Sequence, residues 1–250
     1  MNPPTPSNTP VSHHTPHQAP RSWLALMWVH ARWVLRTSWR NGEQLLLVVG
    51  VPVIALLALT RTELLSSASK PMAVIAAMIV LGSGFTSPAI SIAFERRYGS
   101  FAFLGTTPLP RSAIIAGTVI AIGISALVAS TVVAILAPVL GTSLDRAVLV
   151  RFVIAALLGL VAVVPWAFVL AGTARAETVL VIANAVFVVA IIFGGVLIPA
   201  ATLPYGSVLA FWPPGAIVQV ATDLTIVPIV VLIAWALAGS ALAVRVFRWR

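Results

Sequence analysis

Charged side chains that could do chemistry are concentrated in one short stretch of the chain, residues 94–112. Its sequence, FERRYGSFAFLGTTPLPRS, places one acidic and two basic residues before a glycine, and a proline-rich turn before a further arginine. The pattern predicts a short amphipathic helix that ends in a turn stiffened by proline. Such a segment can carry force between a soluble partner and the two apolar runs that flank it. The candidate residues are Glu95, Arg96, Arg97, Gly99, Leu104, Thr107, Pro108, Leu109 and Arg111, with Gly117 at the start of the next apolar run.

Catalytic chemistry is poorly represented in the rest of the sequence. A prenyltransferase would need clustered aspartates to hold magnesium and pyrophosphate, but Asp145 and Asp223 are isolated. A serine protease would need a base for Ser83, and heme ligation would need histidines in the apolar runs, but all four histidines precede residue 31. The glycines on either side of Ser83 instead favour close packing of helices.

Nucleotide hydrolysis by this chain is excluded by its lysine content. A phosphate-binding loop requires a lysine directly after a glycine, whereas the single lysine, Lys70, lies in SASKP. Without cysteine, the chain forms no disulfide, thiolate metal site or cysteine nucleophile, and its redox compartment stays open. We therefore expect no catalytic residue, cofactor or metal in this chain. Three early histidines, His13, His14 and His17, are interpreted as solvated side chains.

Membrane helices are predicted to position residues 94–112. The chain is 60% hydrophobic, its mean hydropathy is +1.07, and its apolar runs have the length of about 20 residues that crosses a bilayer. The basic residues behind the net charge of +9 flank these runs, which favours membrane orientation over nucleic-acid binding. The predicted fold class is an all-α integral membrane protein. Six spans are predicted at residues 44–59, 71–94, 114–140, 152–173, 178–198 and 224–244.

Three regions follow one another along the chain. Residues 1–20 are rich in proline, serine and threonine, which predicts a disordered cytoplasmic tail. Residues 21–40 are predicted to form an amphipathic helix on the membrane surface, with Arg32, Arg36 and Arg40 on one side and Trp33 on the other. A simple flank of the first span is the alternative for this helix. Residues 41–250 are predicted to form the six-span transmembrane domain.

The number of spans depends on residues 178–222, which are uncharged and long enough to cross twice. Prolines and glycines interrupt the second half of this stretch, which favours a re-entrant outer hairpin before the last span. With six spans, eleven basic residues lie on the side of both termini and four on the other, so both termini are predicted to be cytoplasmic. Two amides, Asn184 and Gln219, are predicted to form interhelical hydrogen bonds or to line a path.

The stretch FERRYGSFAFLGTTPLPRSAIIAG resembles the motif of ATP-binding-cassette (ABC) exporter permeases of the ABC type-2 class. The likeness rests on an acidic–basic pair, Arg-x-Gly, a leucine, Thr-Pro-Leu, a basic residue and a glycine that opens the next span. In style the segment is most similar to actinobacterial permeases of drug or lipid export operons. The chain departs from the class at residues 101–103, where many members place a glutamate, and at Thr118, where many place a lysine.

The resemblance implies a subunit that docks ABC ATPase subunits and pairs with a second copy or with a sister permease. ATP and magnesium would then be bound by the ATPase, and the cargo would be an amphipathic or hydrophobic molecule such as a drug or lipid, exported across the plasma membrane. The loop after the second span and the amphipathic helix would form the ATPase contact. Two alternatives stay open: a scaffold or assembly protein without transport, and a permease of the heme-related cytochrome-maturation type.

Overall fold

The described part of the chain is helical. The computed structural model describes residues 22–40, 42–61, 71–99, 110–142, 144–198 and 202–246. These ranges contain helices and no β-strand, which confirms the all-α prediction. The predicted tail, residues 1–20, and the central part of the motif, residues 100–109, lie outside them.

The elements are numbered in chain order. α1 spans Trp23–Arg40, α2 spans Gly42–Leu45 and α3 spans Val51–Arg61, with a π-helical segment, π1, at Leu46–Gly50 between α2 and α3. α4 spans Pro71–Ile79 and α5 spans Ser87–Arg97, joined by a second π-helical segment, π2, at Val80–Thr86. The remaining helices are α6, Arg111–Val139; α7, Arg146–Thr173; α8, Ala176–Phe193; α9, Gly206–Leu209; α10, Pro213–Thr222; and α11, Ile226–Val246.

Five helical stretches are long and apolar enough to cross a bilayer. They are Pro71–Arg97, Ser112–Val139, Arg146–Thr173, Ala176–Phe193 and Ile226–Val246. The predicted first span corresponds to a shorter apolar helix, Val48–Arg61, but helical structure is continuous through π1 from Gly42 to Arg61. A helix of that length rises about 30 Å, the thickness of the hydrocarbon core.

The boundaries of α7 and α8 have local causes. α7 begins earlier than the predicted span because the Asp145 carboxylate accepts a hydrogen bond of 2.6 Å from the backbone N–H of Val148, which caps the helix. α8 ends at Phe193, before the predicted boundary, because the chain leaves the helix through Gly194 and Gly195. Gly195 has a φ of 77°, a conformation that favours glycine.

The stretch α4–π2–α5 is the centre of the bundle. In its most apolar window 72% of the residues are buried, against 28–44% in the other four crossing helices. Close approach to α7 depends on small residues: a Cβ at Gly84 would lie 2.7 Å from the Leu160 Cδ2 atom. Gly84 therefore allows α7 to approach closely, which agrees with the packing role predicted for the glycines on either side of Ser83.

The helical part of the proline-rich segment before the last span is buried in the bundle. α10 begins with Pro213 and Pro214, which suit the first turn of a helix, and it packs against α4, α7 and α11. The Trp235 indole N–H donates to the Phe211 carbonyl at 2.9 Å, and the Trp166 indole N–H donates to the Trp235 carbonyl at 3.1 Å. In the described ranges this segment forms no seventh crossing helix, as predicted, and residues 202–211, which precede α10, are mostly exposed.

The amphipathic helix α1 packs along the first half of α6. The two backbones meet at Gly117, where a Cβ would lie 2.7 Å from the Met27 carbonyl oxygen and 3.0 Å from the Ala31 nitrogen. The C-terminal part of α11 lies at the same end of the bundle, since Val244 and Ile115 of α6 line one groove. The first and last described helices thus share one end, which we call the motif end because it also holds residues 95–99.

A pair of matched substitutions in α6 tests this packing. Glycine-to-alanine exchange inside a helix is ordinarily favourable by about 1 kcal/mol. We expect Gly123→Ala to be neutral or stabilising, because no atom lies within 4 Å of a Cβ there. Gly117→Ala is expected to destabilise α1 docking by about 1–3 kcal/mol, since the new methyl group must push α1 backbone away.

The measurement is hydrogen exchange of the α1 backbone amides in the purified protein, with thermal unfolding as a second readout. Faster exchange in α1 for Gly117→Ala alone is the expected result. Equal protection of α1 in both variants would contradict the close backbone contact.

Candidate functional site

The motif residues that the structure describes lie where α5 ends and α6 begins. Glu95, Arg96 and Arg97 form the last turn of α5. Gly99 follows with a φ of 75°, which turns the chain out of the helix. Four of the sequence-predicted residues, Leu104, Thr107, Pro108 and Leu109, lie outside the described residues. Arg111 is the first residue of α6, and its side chain also lies outside them.

Arg96 joins the end of α5 to the end of α7. Its two terminal guanidinium nitrogens donate to the carbonyl oxygens of Gly172 and Ala174, at 2.7 and 2.6 Å. The last carbonyls of a helix lack partners within the helix and carry its negative dipole end. A fixed cationic fork therefore suits this position well. The contact links residues more than 70 positions apart in the sequence.

Arg97 extends the same junction to α8. Its guanidinium forms an ion pair with Glu177, which lies in the first turn of α8, where a carboxylate also favours the helix dipole. The two side chains are 52% and 61% exposed, so the pair contributes little to stability. The pair instead fixes the position of α5. Arg96 holds the end of α5 to the α7 side of the α7–α8 turn, and Arg97 holds it to the α8 side.

Tyr98 is the most exposed aromatic residue of the junction. Its side chain is 73% exposed, and its ring lies 6.0 Å from the ring of Phe94. Exposed aromatic side chains are enriched at protein interfaces. Tyr98 thus offers a contact surface directly before the turn at Gly99.

The start of α6 is fastened to α1 by two side-chain hydrogen bonds. The Trp23 indole N–H donates to the Ser112 hydroxyl at 2.9 Å. The Thr118 hydroxyl donates to the Ile114 carbonyl, so it accepts from the Nε2–H of His30, whose nitrogen lies 3.2 Å away. Thr118 stands at a position where the resemblance leads us to expect lysine, and here it serves the α1–α6 contact.

The basic face of α1 points away from α6. Arg32, Arg36 and Arg40 are exposed, and Trp33, which is half exposed, stacks on the His30 ring at 5.9 Å. His30 itself is buried. The buried side of α1 faces α6, whereas Trp33, predicted to lie opposite the arginines, is exposed as they are.

The two predicted polar residues of the distal half lie on separate helices. Asn184 is on an exposed face of α8, where its side-chain amide donates to the Leu180 carbonyl at 2.8 Å. Gln219 is half-buried in α10. The hydrogen bond of the Asn184 amide lies within its own helix. Among the described residues, no group of three histidine, aspartate or glutamate side chains could hold a metal ion.

Sequence reasoning missed a row of serines next to the motif. Ser83, Ser87 and Ser91 precede Glu95 at four-residue steps, and all four line one cavity. The spacing was visible in the sequence, because four-residue steps place side chains on one helix face. Glu177, the partner of Arg97, lies 80 positions away along the chain, so the sequence does not reveal its contact with the motif.

Comparison with known proteins gives one family. The family model described as ABC-2 type transporter matches residues 25–217, a range that begins in α1, includes the whole motif and ends in α10. No curated protein matches the chain.

The His30 contact predicts a weaker α1–α6 junction in acid. Burial lowers the pKa of His30 below its ordinary value of 6.5, so the unfolded chain binds this proton more readily than the folded protein. The contribution of His30 to folding stability is therefore fully present above about pH 6.5, where His30 is neutral in both the folded and the unfolded protein. This contribution falls as the pH drops below that value.

His30→Gln provides the matched variant, because glutamine can donate to Thr118 but cannot become charged. We expect acidification from pH 7.5 to 5.5 to lower the unfolding temperature more in the wild type than in His30→Gln. An equal loss in both proteins would show that His30 titration does not govern the junction.

Proposed function

The chain belongs to the ABC-2 type transporter family and is an ABC transporter permease subunit, and we propose that it exports an amphipathic or hydrophobic substrate with ATP hydrolysed by a separate subunit. The observation that carries the proposal is the junction of α5 with α7 and α8 through Arg96 and Arg97. It gives the loop after α5 a mechanical connection to the membrane helices.

A separate ATPase is required because this chain has no phosphate-binding loop of its own. Its one lysine, Lys70, precedes a proline in SASKP and does not follow a glycine. ATP and magnesium are thus proposed to bind to ABC ATPase subunits on the cytoplasmic side. The excess of arginine at the motif end supports placing that end, and both termini, in the cytoplasm.

Force transfer is proposed to run from residues 100–109 into the bundle. A push on this segment reaches α5 through Tyr98 and Gly99, and Arg96 passes it to the α7–α8 turn. On the C-terminal side of the segment, α6 passes it to α1 through Gly117 and the His30–Thr118 contact. Packed helices respond to such displacements as units.

The exposed side of α8 supports pairing with a second permease copy or with a sister permease. Its exposed residues are almost all apolar, including Val181 and Val188, with Asn184 between them. A polar amide on an apolar helix face favours association with another helix. We propose that this face contributes to the dimer and to the path of the cargo, whose apolar character matches it.

Isolation of the native complex tests the assignment. Affinity purification of the chain from its own membranes is expected to yield an ATP-hydrolysing ABC subunit in stoichiometric amount. Reproducible isolation without any nucleotide-binding chain would contradict the proposal and favour a scaffold.

A substitution at the junction tests how the energy is coupled. Arg96→Gln removes the two bonds to the α7 carbonyls and is expected to reduce substrate-stimulated ATPase activity and transport about tenfold or more, because the loop no longer moves α7. Arg175→Gln is the matched control: Arg175 is exposed at the same turn, as residue N-terminal to α8. Both variants should insert normally, and equal activity of the two would contradict the coupling role of Arg96.

A further inference from the structure

A cavity lined by both apolar and polar side chains lies inside the bundle beside the motif. It has a volume of about 140 Å³ and lies between α1, π1, π2, α5 and α6. Six hydroxyl side chains line it, those of Ser38, Ser83, Ser87, Ser91, Thr118 and Ser125. The carboxylate of Glu95 lines it as well. In a chain that is only 8% charged, a carboxylate and several hydroxyls that converge on one largely apolar cavity form a candidate binding site.

Helix geometry brings these groups together. Ser83, Ser87, Ser91 and Glu95 follow one another at four-residue steps, which keeps them near one face of the helix. Both π-helical segments border the cavity, π1 through Val48 and π2 through Ser83. Single π-helical turns are frequent at functional sites, because the wider turn displaces side chains from regular packing.

Ser83 lines the cavity with a buried hydroxyl that has no partner in the described part of the chain. Its side chain is only 6% exposed. An unsatisfied buried hydroxyl is costly. The cavity is large enough for several water molecules or for a small polar group, either of which could satisfy Ser83.

The carboxylate of Glu95 makes the cavity negatively charged. The two neighbouring arginines are turned away, Arg96 to the α7 carbonyls and Arg97 to Glu177. Glu95 hydrogen bonds with the Ser91 side chain, and among the side chains that the structure describes it forms no ion pair. Among the described residues, the polar lining groups are therefore hydroxyl and carboxylate oxygens and the Trp39 indole N–H, and none is a cation. A carboxylate withdrawn from water gains most from a cationic partner.

From this arrangement we infer that the cavity binds the ammonium group of a small organic cation, with Glu95 as counter-ion and the serine hydroxyls as hydrogen-bond acceptors. Trp39 lines the same cavity, and indole faces attract cations. An anion would face a carboxylate and no compensating positive charge. The site lies within one copy of the chain and requires neither a dimer nor an ATPase, so its test is independent of the proposed function.

The absence of cysteine from the sequence allows a direct test. Ser83→Cys introduces a single thiol at the deep end of the cavity. The purified full chain in nanodiscs, at pH 8, is treated with the cationic reagent 2-aminoethyl methanethiosulfonate or the anionic reagent 2-sulfonatoethyl methanethiosulfonate. Labelling rates are followed by intact mass spectrometry and divided by the rate of each reagent with a free thiol.

We expect the normalised rate at Ser83→Cys to be about tenfold or more higher for the cation, because an opposite charge within a few ångströms is strongly favoured in this environment. Adding Glu95→Gln should remove the preference. Methylammonium chloride, whose N–H groups can donate to the serine hydroxyls, should slow the cationic reaction relative to sodium chloride at the same ionic strength.

Two further variants keep the test decisive. Ser125→Cys, on the α6 side of the cavity, should show the same preference if Ser83→Cys does not fold. Ser130→Cys is the matched control, because Ser130 is 5% exposed and unpartnered but does not line the cavity; it should react with neither reagent. Equal rates for both charges, no reaction at both cavity positions, or a preference that survives Glu95→Gln would overturn the inference.

Discussion

The hydrogen bonds from Arg96 to the carbonyl oxygens of Gly172 and Ala174 hold the motif end together. The end of a helix leaves backbone carbonyls without partners, and a bilayer interface supplies few donors that keep a fixed direction. A guanidinium supplies two donors in a rigid plane and never loses its charge. The end of α5 is therefore attached to the end of α7, so the chain is connected to the bundle at the point where α5 ends.

The charges of the motif divide their roles because successive helical residues point about 100° apart. Glu95 faces the cavity, Arg96 faces the α7 carbonyls, and Arg97 faces Glu177. Only the last contact lies at an exposed surface. A motif that resembles a surface patch in the sequence thus has one residue inside the bundle, one at a helix end and one at the rim. This division explains how the same turn could serve force transfer and ligand binding.

Much of the fold could be predicted from hydropathy and charge. The long spans, the amphipathic α1 and the interruption of helix before α10 follow from apolar length, arginine spacing and helix-breaking residues. The partners of Arg96 could not be predicted, because backbone carbonyls carry no sequence signal and lie more than 70 residues away. The π-helical segments also escaped prediction, since their hydrophobic pattern matches that of an α-helix. The role of Thr118 became clear only once α1 was seen against α6.

The most direct test of the account is whether the end of α5 and the α7–α8 turn stay together while ATP is consumed. Spin labels at Tyr98→Cys and Thr178→Cys would occupy exposed positions on either side of the Arg97–Glu177 pair. Continuous-wave electron paramagnetic resonance of the doubly labelled permease, purified with its ATPase, would be recorded without nucleotide and with ATP and vanadate. The account predicts the same strong dipolar broadening in both states. Broadening that disappears when ATP is added would contradict it, because the two ends would then move separately.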